Sequence, residues 1–292
     1  MRYSVFLGCT IPSRQMNYEL SAREVSKKLG IELLASDYGC CGFPLEPVDE
    51  IKALSMAAMN LKKAHDTGLS LVSLCSACGE MLVKAQSLLD EDEASLKAVN
   101  RLLKKSLDSN YKDEKVRVVH FARMLYQDVG VEKIRESVTN PLEGLKVATH
   151  PGCHYVRPST LFDGFDDPEF PGTLDRLVEA TGAESVDYEG KIDCCGGGIL
   201  AVNEGVAKLM TLKKLETLSK AGVDALVLIC PFCGIMYDRY QKLMAMELER
   251  EFGIPVLYYP QLLGLAQGID PEKLGFDMNS IPVDGLLERV GA

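Results

Sequence analysis

GVDALVLICPFCG, residues 222–234, carries three signals in succession. Gly222 ends a helical pattern, Val223–Ile229 is an apolar run of buried-strand length, and Cys230-Pro231-Phe232-Cys233 leads through Gly234 into a second helical pattern. GLSLVSLCSACG, residues 68–79, is built the same way, with a helix stop at Gly68, a strand over Leu69–Leu74, then Cys75-Ser76-Ala77-Cys78 and a helix from Gly79. A strand that runs on into a helix, instead of a two-residue hairpin, belongs to a parallel sheet with right-handed crossovers. Such sheets bind ligands beyond the carboxyl ends of their strands.

The correspondence extends outward to every other cysteine. Cys9 matches Cys153, and Cys40-Cys41-Gly42 matches Cys194-Cys195-Gly196, so the order C, CC, CxxC occurs twice, at offsets of 144, 154 and 155 residues, with none of the ten cysteines left over. This is duplication of a whole module, not a short-period solenoid. The turn signal Thr139-Asn140-Pro141 divides the chain into residues 1–141 and 142–292. Strands are predicted at Arg2–Leu7, Ile31–Ala35 and Val116–His120 in the first half, and at Lys146–Thr149, Ser185–Tyr188 and Ile254–Tyr258 in the second. Helices are predicted at Asn17–Leu29, Pro47–Thr67, Glu93–Leu107 and Phe121–Val129, then at Gly172–Thr181, Ile199–Ala221, Gly234–Phe252 and Pro260–Gln267. The class is α/β, with a small parallel sheet and flanking helices in each half. All ten cysteines then fall in strand-to-helix connections, five to a crevice.

The 292 residues are 47% apolar and 25% charged, enough for two ordinary cores, and the net charge of −10 argues against bulk nucleic-acid binding. No run reaches the roughly 18 consecutive apolar residues of a membrane helix. Val5-Phe6-Leu7-Gly8-Cys9 has the look of a lipoprotein cleavage site, but eight preceding residues are too few for a signal peptide. The expected location is the cytoplasm, without direct membrane insertion. In that reducing compartment ten cysteines point to metal binding or redox work instead of structural disulfides.

Thiolates favour iron–sulfur clusters, zinc or copper(I). Tetrahedral zinc and ordinary cubane clusters both take four ligands, so five cysteines per half leave either a surplus reactive thiol or a non-cubane cluster with five. Dithiol catalysis is the third alternative. Helix N-termini behind Cys78, Cys195 and Cys233 would favour the deprotonated thiols.

The two Cys-Cys-Gly repeats, with Phe6-Leu7-Gly8-Cys9-Thr10, with Pro151-Gly152-Cys153-His154 followed by Arg157-Pro158-Ser159, and with Cys230-Pro231-Phe232-Cys233, resemble the B subunit of heterodisulfide reductase, the CCG-domain family, over nearly the whole chain. The resemblance implies two pseudo-symmetric CCG domains, each a Rossmann-like sheet. It implies one non-cubane [4Fe–4S] cluster on Cys9, Cys40, Cys41, Cys75 and Cys78 and another on Cys153, Cys194, Cys195, Cys230 and Cys233. It further implies reductive cleavage of the coenzyme M–coenzyme B disulfide, CoM-S-S-CoB, between the clusters, as in methanogenic energy metabolism. Expected partners are the heterodisulfide reductase C subunit with cubane [4Fe–4S] clusters, the flavin-containing A subunit, and hydrogenase or formate dehydrogenase subunits. The chain has no ferredoxin-type cysteine run and no dinucleotide-binding glycine motif, so its electrons come from partners. The alternative is an iron–sulfur protein of another redox complex, in sulfur oxidation, fumarate reduction, or lactate or glycolate oxidation.

His154, beside Cys153, is the candidate proton donor to a departing thiolate. Arg14 and Arg157 follow the first cysteine of each half by five and four residues and are candidates for anionic substrate groups. His150 reads as structural, His120 as buried near the site, His65 as a surface residue. Met210, Met244 and Met246 read as core filler.

Overall fold

A computed structural model describes residues 1–112, 114–249 and 251–292. The first half runs β1 (Arg2–Phe6), α1 (Thr10–Arg14), α2 (Met16–Lys28), β2 (Glu32–Ala35), α3 (Glu50–Thr67), β3 (Leu71–Ser73), α4 (Ser76–Glu91), α5 (Glu93–Leu107), β4 (Val118–His120), α6 (Phe121–Met124) and α7 (Val131–Glu136). The second runs β5 (Lys146–His150), α8 (Thr173–Glu179), β6 (Glu184–Val186), α9 (Glu204–Ala221), β7 (Ala225–Leu228), α10 (Pro231–Gly234), α11 (Gln241–Leu248), β8 (Val256–Tyr258), α12 (Tyr259–Ala266) and α13 (Asp284–Val290).

Each half has a four-stranded parallel sheet, in the orders β2-β1-β3-β4 and β6-β5-β7-β8. Val5 pairs with Ala35 on one side and Val72 on the other, and Ala148 sits likewise between Val186 and Leu226. The chain leaves β1 for β2 on one side and reaches β3 on the other, so the strand order reverses between β1 and β3, where a crevice opens above the sheet. The same holds between β5 and β7. Helices cover both faces, which is why β7 is buried at all four positions and reads as an apolar run without alternation.

Local chemistry sets the helix ends. The Asp49 carboxylate accepts from Lys52 N at 3.1 Å to start α3, and Asn203 Oδ1 accepts from Val206 N at 3.1 Å to start α9. Asp92, in an acidic stretch, caps α5 through Ala94 N and Ser95 N. Several expectations shift. The helix predicted from Ile199 begins at Glu204, because residues 197–199 form a short 3-10 turn and Asn203 takes the cap. The one predicted over 234–252 begins at Pro231, passes through a π-helical turn at Ile235–Tyr240 and ends at Leu248; position 250 lies outside the described residues. Met244 is buried as expected, whereas Met246 is 73% exposed.

The halves form one continuous apolar core. The Tyr18 ring stacks on Tyr258 at 4.1 Å, and Tyr258 Oη donates to Gln15 Oε1 at 2.7 Å. After α12 the chain returns to the first half, where Asn17 Nδ2 donates to Asn279 Oδ1 at 3.1 Å.

Candidate functional site

β1 and β3 end at Phe6 and Ser73, with Cys9 and Cys75 following, and β5 and β7 end at His150 and Leu228, with Cys153 and Cys230 following at the same spacing. Cys75 caps α4, its Sγ accepting from Cys78 N, and Cys230 occupies the cap of α10. Cys78 and Cys233 therefore stand inside the first helical turn and not in the preceding loop as predicted: each helix starts three residues earlier, α4 behind the Cys75 sulfur cap and α10 with Pro231 at its first position. Directly behind Cys195 comes only the short 3-10 turn at residues 197–199, and the α-helix of that connection, α9, begins at residue 204.

All ten cysteines are free thiols. Cys9 is exposed, Cys40, Cys153 and Cys194 are half-buried, and the other six are buried. Their side chains touch in one unbroken string: Cys9–Cys40–Cys41–Cys78–Cys75, then across to Cys230–Cys233–Cys195–Cys194–Cys153. Cys233 Sγ and Cys195 Sγ are 3.4 Å apart. The order is a palindrome about the Cys75–Cys230 contact, so the two crevices face each other and meet.

Backbone N–H groups point at sulfurs in both halves, and those behind the first cysteine of each Cys-Cys pair match. Gly42 N donates to Cys40 Sγ at 3.5 Å and Gly196 N to Cys194 Sγ at 3.4 Å. Cys78 N donates to Cys75 Sγ at 3.4 Å and Gly197 N to Cys195 Sγ at 3.3 Å. Such donors stabilise thiolate charge. Cys194, accepting from the Cys153 and Cys195 thiols, is pushed down to about 2, while the donating Cys195 is pushed up to about 12. Cys41 and Cys230 are held low in the same manner by Cys40 and Cys233.

The glycine after each Cys-Cys pair is needed for its backbone. Gly42 and Gly196 have φ of 97° and 87°, and a Cβ there would lie 2.5 Å from Ala53 O and 2.7 Å from Ala207 O respectively. Each Cys-Cys loop is thus pressed against α3 or α9. Among the described residues no three His, Cys, Asp or Glu side chains are grouped as a single-ion site. Five sulfurs in line per half, each half with N–H donors on its thiolates, outnumber the four ligands of a tetrahedral zinc. The donor set fits thiolate-bound iron–sulfur groups.

His154 lines a small cavity, about 50 Å³, with Cys153, Cys194, Cys195, Cys230, Cys233 and the Phe43 and Phe232 rings. Its Nδ1 faces Glu80 Oε2 at 3.7 Å, and its ring meets Phe43 edge-on at 4.7 Å. Burial lowers the pKa of His154, and burial raises that of Glu80 to about 7. Arg14 and Arg157 line other cavities. Arg14 shares one of about 410 Å³ with Arg239, Lys242 and Asp238; Arg157 borders one of about 840 Å³ and donates from Nε and Nη2 to Pro168 O. His120 bridges the halves: its Nδ1 accepts from Ala122 N, so Nε2 donates to Ile229 O at 3.0 Å.

Glu80, Phe43, Phe232 and Lys214 escape the sequence reading. Glu80 has a weak signal, a carboxylate one position past Cys78-Gly79 on a helix otherwise apolar there. Phe43 and Phe232 sit inside or beside the cysteine motifs and announce nothing further.

The cysteine-rich domain model, CCG, matches twice, at residues 3–83 and 147–238, covering both quintets. The B subunit of the ferredoxin/F420H2-dependent CoB–CoM heterodisulfide reductase of Methanosarcina acetivorans is 35% identical over 96% of this chain and 94% of its own. The chain belongs to the family of heterodisulfide reductase B subunits. As a member of that CCG family it is an oxidoreductase component of a multisubunit redox complex. The family reaches beyond its name: the 8-methylmenaquinol:fumarate reductase membrane anchor subunit of Wolinella succinogenes is 31% identical over 96% of each chain. A crystal structure of a Helicobacter pylori hypothetical protein superposes with TM-score 0.73 over 97% of this chain and 52% of that one, at 16% identity, a likeness of fold. Among the described residues no helix is long and apolar enough to cross a membrane.

Proposed function

We propose that this chain is the disulfide-reducing component of a heterodisulfide reductase complex in the cytoplasm, acting on CoM-S-S-CoB. In this reading Cys9, Cys40, Cys41, Cys75 and Cys78 hold one non-cubane [4Fe–4S] cluster. Cys153, Cys194, Cys195, Cys230 and Cys233 hold the other, in modules that divide near residue 141. When bound, such groups supply one-electron transfer. The chain's own residues orient and protonate. Backbone donors keep the thiolates charged, and the Cys75–Cys230 contact brings both quintets to one crevice. His154, with Nδ1 toward Glu80, holds the proton that a departing thiolate takes up. Half-exposed Phe43 and Phe232 are the side chains whose rotation would widen the cavity for a two-armed disulfide, and Arg14 and Arg157 are the candidate contacts for its anionic arms. Electrons arrive from the C subunit with its cubane clusters and the flavin-containing A subunit, fed by hydrogenase or formate dehydrogenase subunits.

The observation that carries this reading is the palindromic ten-sulfur string with its two halves in contact at the centre. Anaerobic purification with native partners, iron and acid-labile sulfide analysis, and CoM-S-S-CoB reduction by reduced viologen test it. Two four-iron clusters per chain and turnover are expected. A colourless zinc protein would sink it, as would a loaded protein that leaves the disulfide intact. The second reading, a CCG protein that relays electrons in fumarate reduction, is favoured by the Wolinella relative and predicts the loaded but disulfide-inert outcome.

A further inference from the structure

The halves match in every cysteine, but one pair of equivalent positions differs in charge. Asn60 on α3 and Lys214 on α9 stand equally far beyond their helix caps, Asp49 and Asn203, and each supports its Cys-Cys loop from below. Asn60 is neutral, with Oδ1 accepting from Gly39 N and Nδ2 donating to Cys40 O, both at 2.9 Å. Lys214 is only 4% exposed. Its Nζ meets three acceptors, His150 Nδ1 at 2.9 Å, Lys191 O at 2.9 Å and Asp193 O at 3.0 Å, one for each N–H of an ammonium. Burial draws its pKa down to about 8, and the neighbouring sulfurs and the Asp193 carboxylate act against that; the three contacts around Nζ are those of an ammonium.

His150 is the second asymmetry, ending β5 where Phe6 ends β1. His150 Nδ1 lies 2.9 Å from Lys214 Nζ and 3.0 Å from Lys191 O, and with Lys214 as an ammonium, which can only donate, Nδ1 is the acceptor and the proton sits on Nε2. That Nε2 is buried with no partner in the protein. A buried cation needs a compensating anion. The carboxylates of Asp175 and Asp193 pair with Lys191 and Lys213 instead, and among the described residues none pairs with Lys214. The sulfurs of Cys233, Cys195 and Cys194 act on it, together with the Asp193 charge. Among the described residues the first quintet has no buried cation beneath its loop: Asn60 takes that place, and Lys63, which reaches Asp37 O, is partly exposed and paired with the Asp37 carboxylate.

We propose that Lys214 makes the two metal centres electrochemically unequal: its buried charge, held under the Cys194-Cys195 loop, stabilises the added electron on the second-half centre, which is reduced before the first-half centre. Charge and hydrogen bonding around the sulfurs set such potentials. The inference rests on the reading of each quintet as an iron–sulfur site.

The test is a dithionite titration of the holo-complex followed by EPR and visible absorption, beside iron and sulfide analysis of the same samples. Two distinct one-electron midpoints are expected. Lys214→Asn, which installs the first-half residue, lowers the upper midpoint at least tenfold in the one-electron equilibrium, about 59 mV, and leaves the lower one in place. Lys214→Arg keeps the upper midpoint near wild type, and Asn60→Lys raises the lower one. Equal midpoints in the wild type overturn the proposal, as does a fully loaded Lys214→Asn protein whose upper midpoint is unmoved. Should Lys214→Asn lose iron, the wild-type and Asn60→Lys titrations still decide. Samples without iron and sulfide refute the cluster reading itself, a result distinct from loaded samples with unmoved potentials.

Discussion

Adding one methyl group at Gly196 probes how the Cys-Cys loop is built. The residue has φ of 87°, and a Cβ would come within 2.7 Å of Ala207 O and 2.9 Å of Ala207 Cα, both backbone atoms of α9 that cannot rotate away. Left-handed geometry costs a non-glycine residue about 1–2 kcal/mol. Overpacking against fixed atoms adds about 1–3 kcal/mol. Gly196→Ala is therefore expected to lose about 2–5 kcal/mol, a large part of the stability of an ordinary domain. The assay is urea unfolding of the apo-chain under reducing conditions, with iron content of the reconstituted protein beside it. Gly205→Ala is the internal control. Only Asn203 Oδ1, at 3.6 Å, lies near its added Cβ, and as a helical position it should change stability by about 1 kcal/mol or less in either direction. A Gly196→Ala protein within about 0.5 kcal/mol of its parent would refute the reasoning, since that is the size of an ordinary surface substitution.

Cys195→Ser and Cys41→Ser are each expected to cost the iron of one half and spare the other; loss of all iron from either would mean the halves do not load independently. The Asp128 carboxylate, held below the usual carboxylate range by the Arg117 guanidinium and helped by the Tyr3 hydroxyl, stabilises the fold above the unfolded carboxyl value near 4 and loses that contribution as pH falls below it. Asp128→Asn should therefore cost about 1–2 kcal/mol at pH 7, with the gap from wild type closing below about pH 4 in denaturant titrations across that range. Tyr18→Phe, which removes the Oη bond to Ile229 O at 3.1 Å while His120 still serves that carbonyl, should cost about 1 kcal/mol and broaden the EPR signal of the second centre; an unchanged signal would show that Ile229 is positioned by other contacts.

Much of the architecture follows from local signals. Glu93–Leu107 is helical over the span its periodicity predicts, and Val223–Ile229 contains β7, because a strand buried on both faces leaves an apolar run that no loop imitates. The cysteine spacing, repeated with its glycines, shows two gathered quintets. Features that depend on long-range packing left no such trace. Nothing near Cys75 or Cys230 says that the two touch, since their meeting depends on Tyr18 stacking on Tyr258 from the other half. The first CxxC helix starts early because the Cys75 sulfur does the capping work of Ser or Asp, which composition does not reveal, and the second starts at Pro231, a residue suited to a first helical position. Lys214 looks like any lysine of a polar helix until α9 is laid under the loop, and the segment after residue 267, without periodicity of its own, is fixed by its contacts to α2.

Duplication alone yields two crevices, each open at the carboxyl edge of its sheet, and does not require that they serve one reaction. What joins them is concentrated on the residue before Cys230. Ile229 O accepts from two first-half donors, Tyr18 Oη and His120 Nε2, which together fill the capacity of one carbonyl. A first-half tyrosine from α2 and a first-half histidine from the end of β4 thus fix the strand-to-helix turn that carries Cys230. That turn then meets Cys75, which ends the neighbouring strand connection of the first half. Beside that turn lies the small cavity lined by the five second-half cysteines, with His154, Phe43 and Phe232 as the rings among its lining residues and Ser76 and Ala77 reaching it from the first half. A small molecule in that cavity would meet second-half sulfurs, one imidazole and two aromatic walls, surroundings poorly suited to holding a carboxylate or phosphate there and compatible with the disulfide proposed above.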